Sequence, residues 1–179
     1  MTPDWHDQLP SARVLWRALR TPVFDPSDYA HPQVVAAAVG LLDAHHRHDT
    51  ALGQLTRMSQ ASTEFGNGEW RVVTDFFADA SRDIRALIAR VDTVVHHQVL
   101  ALGIDFSEAA VHPCGIGTVL SRHTRRWALA TADNGELVPS STALGILVEE
   151  ARVYNRLVKQ VITGRVRLPA PAHQARILP

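Results

Sequence analysis

Cysteine is almost absent from this chain. Cys114 stands alone among 179 residues, so no intramolecular disulfide can form and a reducing cytoplasm is the expected compartment. Lysine is as scarce, Lys159 standing beside seventeen arginines, a bias that points to high-GC bacterial coding. Net charge is absent too: 18 basic residues balance 18 acidic ones, which leaves no overall electrostatic reason to bind a nucleic acid or a membrane. No apolar run approaches the roughly 20 residues of a membrane-spanning helix. The opening residues, Met1 to Asp7, lack the basic and apolar regions of a secretory signal. No membrane association is expected.

Recognised catalytic motifs are missing as well. There is no glycine-rich phosphate loop, no paired-cysteine motif, no His-Glu-x-x-His and no nucleophile elbow. Gly115-Ile116-Gly117 opens a helical pattern but follows a loop and lacks the third glycine of a nucleotide fingerprint. His48-Asp49 matches the dipeptide of helical metal-dependent phosphohydrolases, yet Thr50-Ala51-Leu52-Gly53 does not continue that motif. Arg90 and His96 share the spacing of a pair found in some helical ribonucleases, with no further match. The reading leans away from an enzyme.

What is present is an ordinary globular composition, 46% apolar and 20% charged, in a chain long enough for one domain with its own core. Charge is unevenly placed. Residues 1–120 hold nine basic and fourteen acidic side chains, and residues 121–179 hold nine basic and four acidic ones. Two such halves are expected to pack against each other or against a second copy.

Apolar residues recur at helical spacing. A leader over 1–31 contains one short helix, Ser11 to Leu19. A helix opens at Pro32, proline being tolerated in the first turn, and runs to about Ala61. Phe65-Gly66-Asn67-Gly68 breaks it. The next extends from near Glu69 to Leu102, with or without a break at Ser81, and Gly103 closes it. A further helix covers about Ile116 to Thr131. After a turn at Asp133-Asn134-Gly135, Pro139 with Ser140-Ser141 caps the last one, which ends at Gly164. Residues 165–179 form a Pro-rich tail, extended or disordered, and no strand pattern is evident. The spacing predicts an all-α fold: an antiparallel bundle of about four principal helices within 32–164.

Some polar residues fall on the inward stripes. His45 and Asp49, one turn apart, lie among Val34, Ala38, Leu41 and Leu52, where they can meet. His123 lies among Ile116, Leu120 and Trp127, and Asp92 and His96 flank the Ile84–Leu102 face. Facing helices of a bundle can assemble such side chains around a divalent metal. His45, Asp49 and His123, with Asp92 and His96 as additions, are the candidate ligands; the alternative is a structural polar network. A second candidate surface is basic: Arg122, Arg125 and Arg126 on one helix, and Arg152, Arg156 and Lys159 on the last. It suits a nucleic-acid backbone, or else is solvated or paired with acids such as Glu149.

The segment His112-Pro113-Cys114-Gly115-Ile116-Gly117-Thr118-Val119-Leu120-Ser121-Arg122 resembles an uncharacterised bacterial family, domain of unknown function forty-two fifty-four. In that family a His precedes a Gly-Ser/Thr-Val helix start that continues into an Asp/Ser-Arg/Lys pair. Val153-Tyr154-Asn155-Arg156-Leu157-Val158 and Gly164-Arg165-Val166-Arg167-Leu168-Pro169 are similar to its actinobacterial members. The likeness covers about the C-terminal third. Ser121 stands where an acid is frequent, and His123 where an aliphatic is common. The resemblance implies an all-helical cytoplasmic protein and no particular activity. The function expected from the sequence is therefore a non-enzymatic module, homodimeric, that binds a protein partner or small ligand. A metal-dependent enzyme and a nucleic-acid binder are the alternatives.

Overall fold

A computed structural model describes residues 8–21, 23–61, 66–132 and 141–171. Five helices carry the fold: α1 (Ala12–Leu19), α2 (Pro32–Gln60), α3 (Asn67–Ala101), α4 (Ile116–Ala132) and α5 (Ser141–Ile162). The four long ones form the expected all-α bundle, with α1 packed against α2 and α5. The turn at Asp133-Asn134-Gly135, the Pro139 and Ser140 part of the cap, and the tail beyond 171 lie outside the described residues. Among those described, no helix is long and apolar enough to cross a membrane.

Local chemistry sets the helix ends. Pro32 occupies the first turn of α2, where its missing N–H costs nothing. Glu69 reaches back to accept a hydrogen bond from the Gly66 N–H at 3.0 Å, half of a capping box. α3 passes Ser81 without interruption. Gly103 and Gly164 adopt φ of 63° and 70° just beyond α3 and α5, the left-handed conformation that lets a helix stop without Cβ strain.

The main core gathers Leu15, Val35, Leu41, Val91, Leu120 and Val158 from all five helices, and a smaller cluster joins Leu19, Trp127 and Leu147. His45 of α2 contacts Ser121 of α4, and Asp49, one turn on, contacts Arg125; α2 and α4 thus run in the same direction. At the other end α1 is tied down over long sequence distances. The Tyr154 hydroxyl donates to the Pro10 carbonyl at 2.9 Å, and Asn155 Oδ1 accepts from the Ala12 N–H at 2.9 Å. Ser11 precedes α1 without capping it by its side chain, so Asn155 of α5 supplies the cap in its place.

Strands were not expected, and the described residues contain one small pair. β1 (Ala110–Val111) and β2 (Val166–Arg167) run parallel, with Ala110 opposite Val166 and Val111 opposite Arg167. The His112 N–H extends the ladder to the Arg167 carbonyl at 2.8 Å. Four residues are too few to show a period-2 pattern in sequence. Their pairing holds the start of the tail against the end of α3.

Candidate functional site

The five proposed metal ligands do not converge. His45 is 5% exposed and its Nε2 lies 3.0 Å from Ser121 Oγ. Asp49 turns instead to His48 Nδ1 at 3.2 Å and to Arg125 at 3.4 Å. The expected His45–Asp49 hydrogen bond is therefore not made: α4 places a hydroxyl and a guanidinium one turn apart, and each takes one of the two α2 groups. Burial lowers the His45 pKa, with the Arg125 charge in the same direction and the Asp49 charge against it.

His123 lies on another side of α4. It is 1% exposed, and its Nε2 accepts a hydrogen bond from Trp16 Nε1 at 2.7 Å. Burial lowers its pKa to about 4, so the ring is neutral at pH 7 with its proton on Nδ1. A metal at Nε2 would displace the indole donor and break the bond that joins α1 to α4.

Asp92 has a different task. Its Oδ1 accepts from the Gly117 N–H at 2.7 Å, so a carboxylate from α3 caps the first turn of α4, where free N–H groups and the helix dipole favour a negative charge. Burial raises its pKa, and the Gly117 bond opposes that rise. A Cβ on Gly115 would strike the Asp92 carboxyl group, and one on Gly117 would strike the Ile88 carbonyl oxygen. The Gly115-Ile116-Gly117 pattern is explained by this close approach of two helices rather than by a phosphate. His96 is half-buried near the end of α3. Among the described residues no three His, Cys, Asp or Glu side chains are placed to share a metal ion. The candidate metal set does not fit one.

The six basic candidates are all exposed, and three are engaged: Arg125 with Asp49, Arg126 with Glu150 at 3.9 Å, and Arg152 with Glu149 at 3.2 Å. The Arg125–Asp49 pair joins the basic and acidic halves, as the charge distribution led us to expect.

A more concentrated cationic site was not anticipated. Between α1 and α5 lies a cleft of about 860 Å³ whose lining, among the described residues, carries four arginines, Arg13, Arg17, Arg20 and Arg152, and no acid. Arg13, Arg17 and Arg20 stand at helical spacings of four and three, which puts them on one side of α1. None of these three makes an ion pair among the described residues. Trp16 lines the same cleft, its indole fixed by the His123 bond and tilted 44° against Trp127 with ring centres 5.9 Å apart. Asn155 also lines it and caps α1. The arginine spacing was readable in the sequence; the opposing wall from α5, residues 148–155, was not. No family model, curated protein or solved structure matches this chain.

Proposed function

We propose that this protein is a non-enzymatic helical module that binds a small polyanion in the cleft between α1 and α5. The observation that carries this reading is the gathering of four arginines around one cleft; among the described residues three of them have no ion-pair partner and no acid lines the cleft. Guanidinium groups present paired N–H donors that match phosphate and carboxylate oxygens. Trp16 adds an aromatic surface held in one orientation from behind, suited to a planar part of the ligand. The volume falls within the roughly 300–1,000 Å³ of small-molecule sites.

The test is calorimetric titration with tripolyphosphate and with ADP at low salt. Both should bind, and Arg17→Ala and Arg152→Ala should each weaken both by about tenfold. Trp16→Leu should weaken ADP more than tripolyphosphate. Absence of binding by both probes, or binding that ignores the arginine substitutions, sinks the proposal. Duplex DNA that binds more tightly than either probe, with a steep loss on adding salt, would favour the nucleic-acid reading.

The homodimer belongs to the same proposal. Leu129, Ile146 and Val153 are about half-exposed, and helical spacing sets them one turn from Arg126 or Glu150, the ion pair that joins α4 and α5. Beside them is Arg122. Val72 and Phe76 on α3 are also exposed, a second apolar surface that another copy would bring. Light scattering should give twice the chain mass, and Ile146→Glu should return a monomer.

A further inference from the structure

A second pocket lies near the end of α3, and it shares no residue with the arginine cleft. It encloses about 300 Å³ between α3, the strand pair and the segment after β2. His96, Val99 and Leu100 stand three and four residues apart on α3, so they share one face of the helix. The parallel pairing sets Val111 directly opposite Arg167, and both line the pocket together with Phe106.

The chemistry of this lining is of one kind. Apolar side chains make nearly all of it, with one guanidinium from Arg167 and one imidazole from His96. Among the described residues no acid lines it and Arg167 makes no ion pair. Two of the apolar side chains are uncovered: Leu100 is 63% exposed and Val111 52%. Phe106 packs against the main core, so the inner wall is fixed while the outer apolar surface stays open to water. Covering such surface releases about 25 cal/mol per Å². The Arg167 guanidinium beside it would hold an anionic head group by a charge-assisted hydrogen bond.

We infer that this pocket binds a small amphiphilic carboxylate, its head group on Arg167 and His96 and its apolar body over Val99, Leu100 and Phe106. The size suits a single chain of moderate length or one ring, being at the lower end of the roughly 300–1,000 Å³ range of ligand sites. One guanidinium matches one carboxylate. That separates this pocket from the cleft at α1, where four arginines call for several negative charges.

Octanoate is the probe, with 1-octanol as the same chain without the carboxylate. Titration by calorimetry should show octanoate bound at one site per chain and 1-octanol about tenfold weaker. Arg167→Gln should bring octanoate down to the affinity of 1-octanol. Leu100→Trp, which fills the pocket from an exposed position, should abolish both while the melting temperature is kept. If that variant does not fold, Val111→Trp at the other uncovered side chain serves the same purpose. No octanoate binding overturns the inference, as does equal binding of acid and alcohol or binding that survives both substitutions. Because the two sites share no residue, failure here leaves the polyanion reading standing, and ADP should not compete with octanoate.

Discussion

Trp16 Nε1 donates to His123 Nε2 across 2.7 Å, joining α1 to α4 over 107 residues of sequence. The bond requires a neutral imidazole, because protonation would put a second donor against the indole N–H. Burial keeps it neutral by lowering the His123 pKa from 6.5 to about 4.

Stability should therefore depend on pH through His123. Between pH 6.5 and 4 the unfolded chain binds a proton at this ring that the folded one does not. The stabilisation is complete above about pH 6.5 and is lost as pH falls toward 4, amounting to about 3 kcal/mol. Urea unfolding of wild type and His123→Gln across pH 4–8 measures it. The glutamine keeps an acceptor for Trp16 but has no titration, so its stability should fall less steeply by up to about 1.4 kcal/mol per pH unit. Parallel curves would remove His123 from the account.

The Asp92 cap makes an uneven prediction for two neighbouring glycines. Asp92→Ala should cost about 1–2 kcal/mol, the usual cost of a lost N-cap. Gly115→Ala collides with the Asp92 side chain and Gly117→Ala with the Ile88 backbone. In an Asp92→Ala background the first substitution should become nearly neutral, while the second should stay severe. Equal relief at both positions, measured by thermal unfolding, would contradict this geometry.

His45 and Ser121 should behave as a coupled pair. Ser121→Ala leaves a buried imidazole without its 3.0 Å partner and should cost about 1–3 kcal/mol. The double variant His45→Leu/Ser121→Ala removes both polar groups and should regain much of that loss. Additive costs in a double-mutant cycle would show that the contact contributes little.

α1 should open before the bundle does. Tyr154 and Asn155 hold its start, so Asn155→Ala should speed amide exchange in residues 12–19 and leave the core of α2 and α3 protected. Since Asn155 lines the cleft, tripolyphosphate binding should weaken with it. Unchanged exchange in α1 would show that Asn155 is not its anchor.

Much of this molecule follows from the order of its residues. Helical spacing of Val34, Ala38 and Leu41, of Ile84, Leu87 and Val91, of Ile116, Leu120 and Trp127, and of Leu147, Tyr154 and Val158 determined four principal helices. Pro32, Gly103 and Gly164 marked their limits, and the burial of His45 and His123 was legible from the stripes they interrupt. Periodicity fixes the face on which a side chain lies, and there its information ends. The partner of that side chain depends on the rotation and offset of the neighbouring helix, set by packing between residues far apart in sequence. So only the tertiary structure decided that His45 meets Ser121 rather than Asp49, that Trp16 meets His123, that Asp92 caps α4, and that Arg13, Arg17 and Arg20 face Arg152 across one cleft. The strand pair was beyond sequence for the same reason: two-residue strands carry no pattern of their own and exist because the end of α3 and the end of α5 bring them within hydrogen-bonding distance.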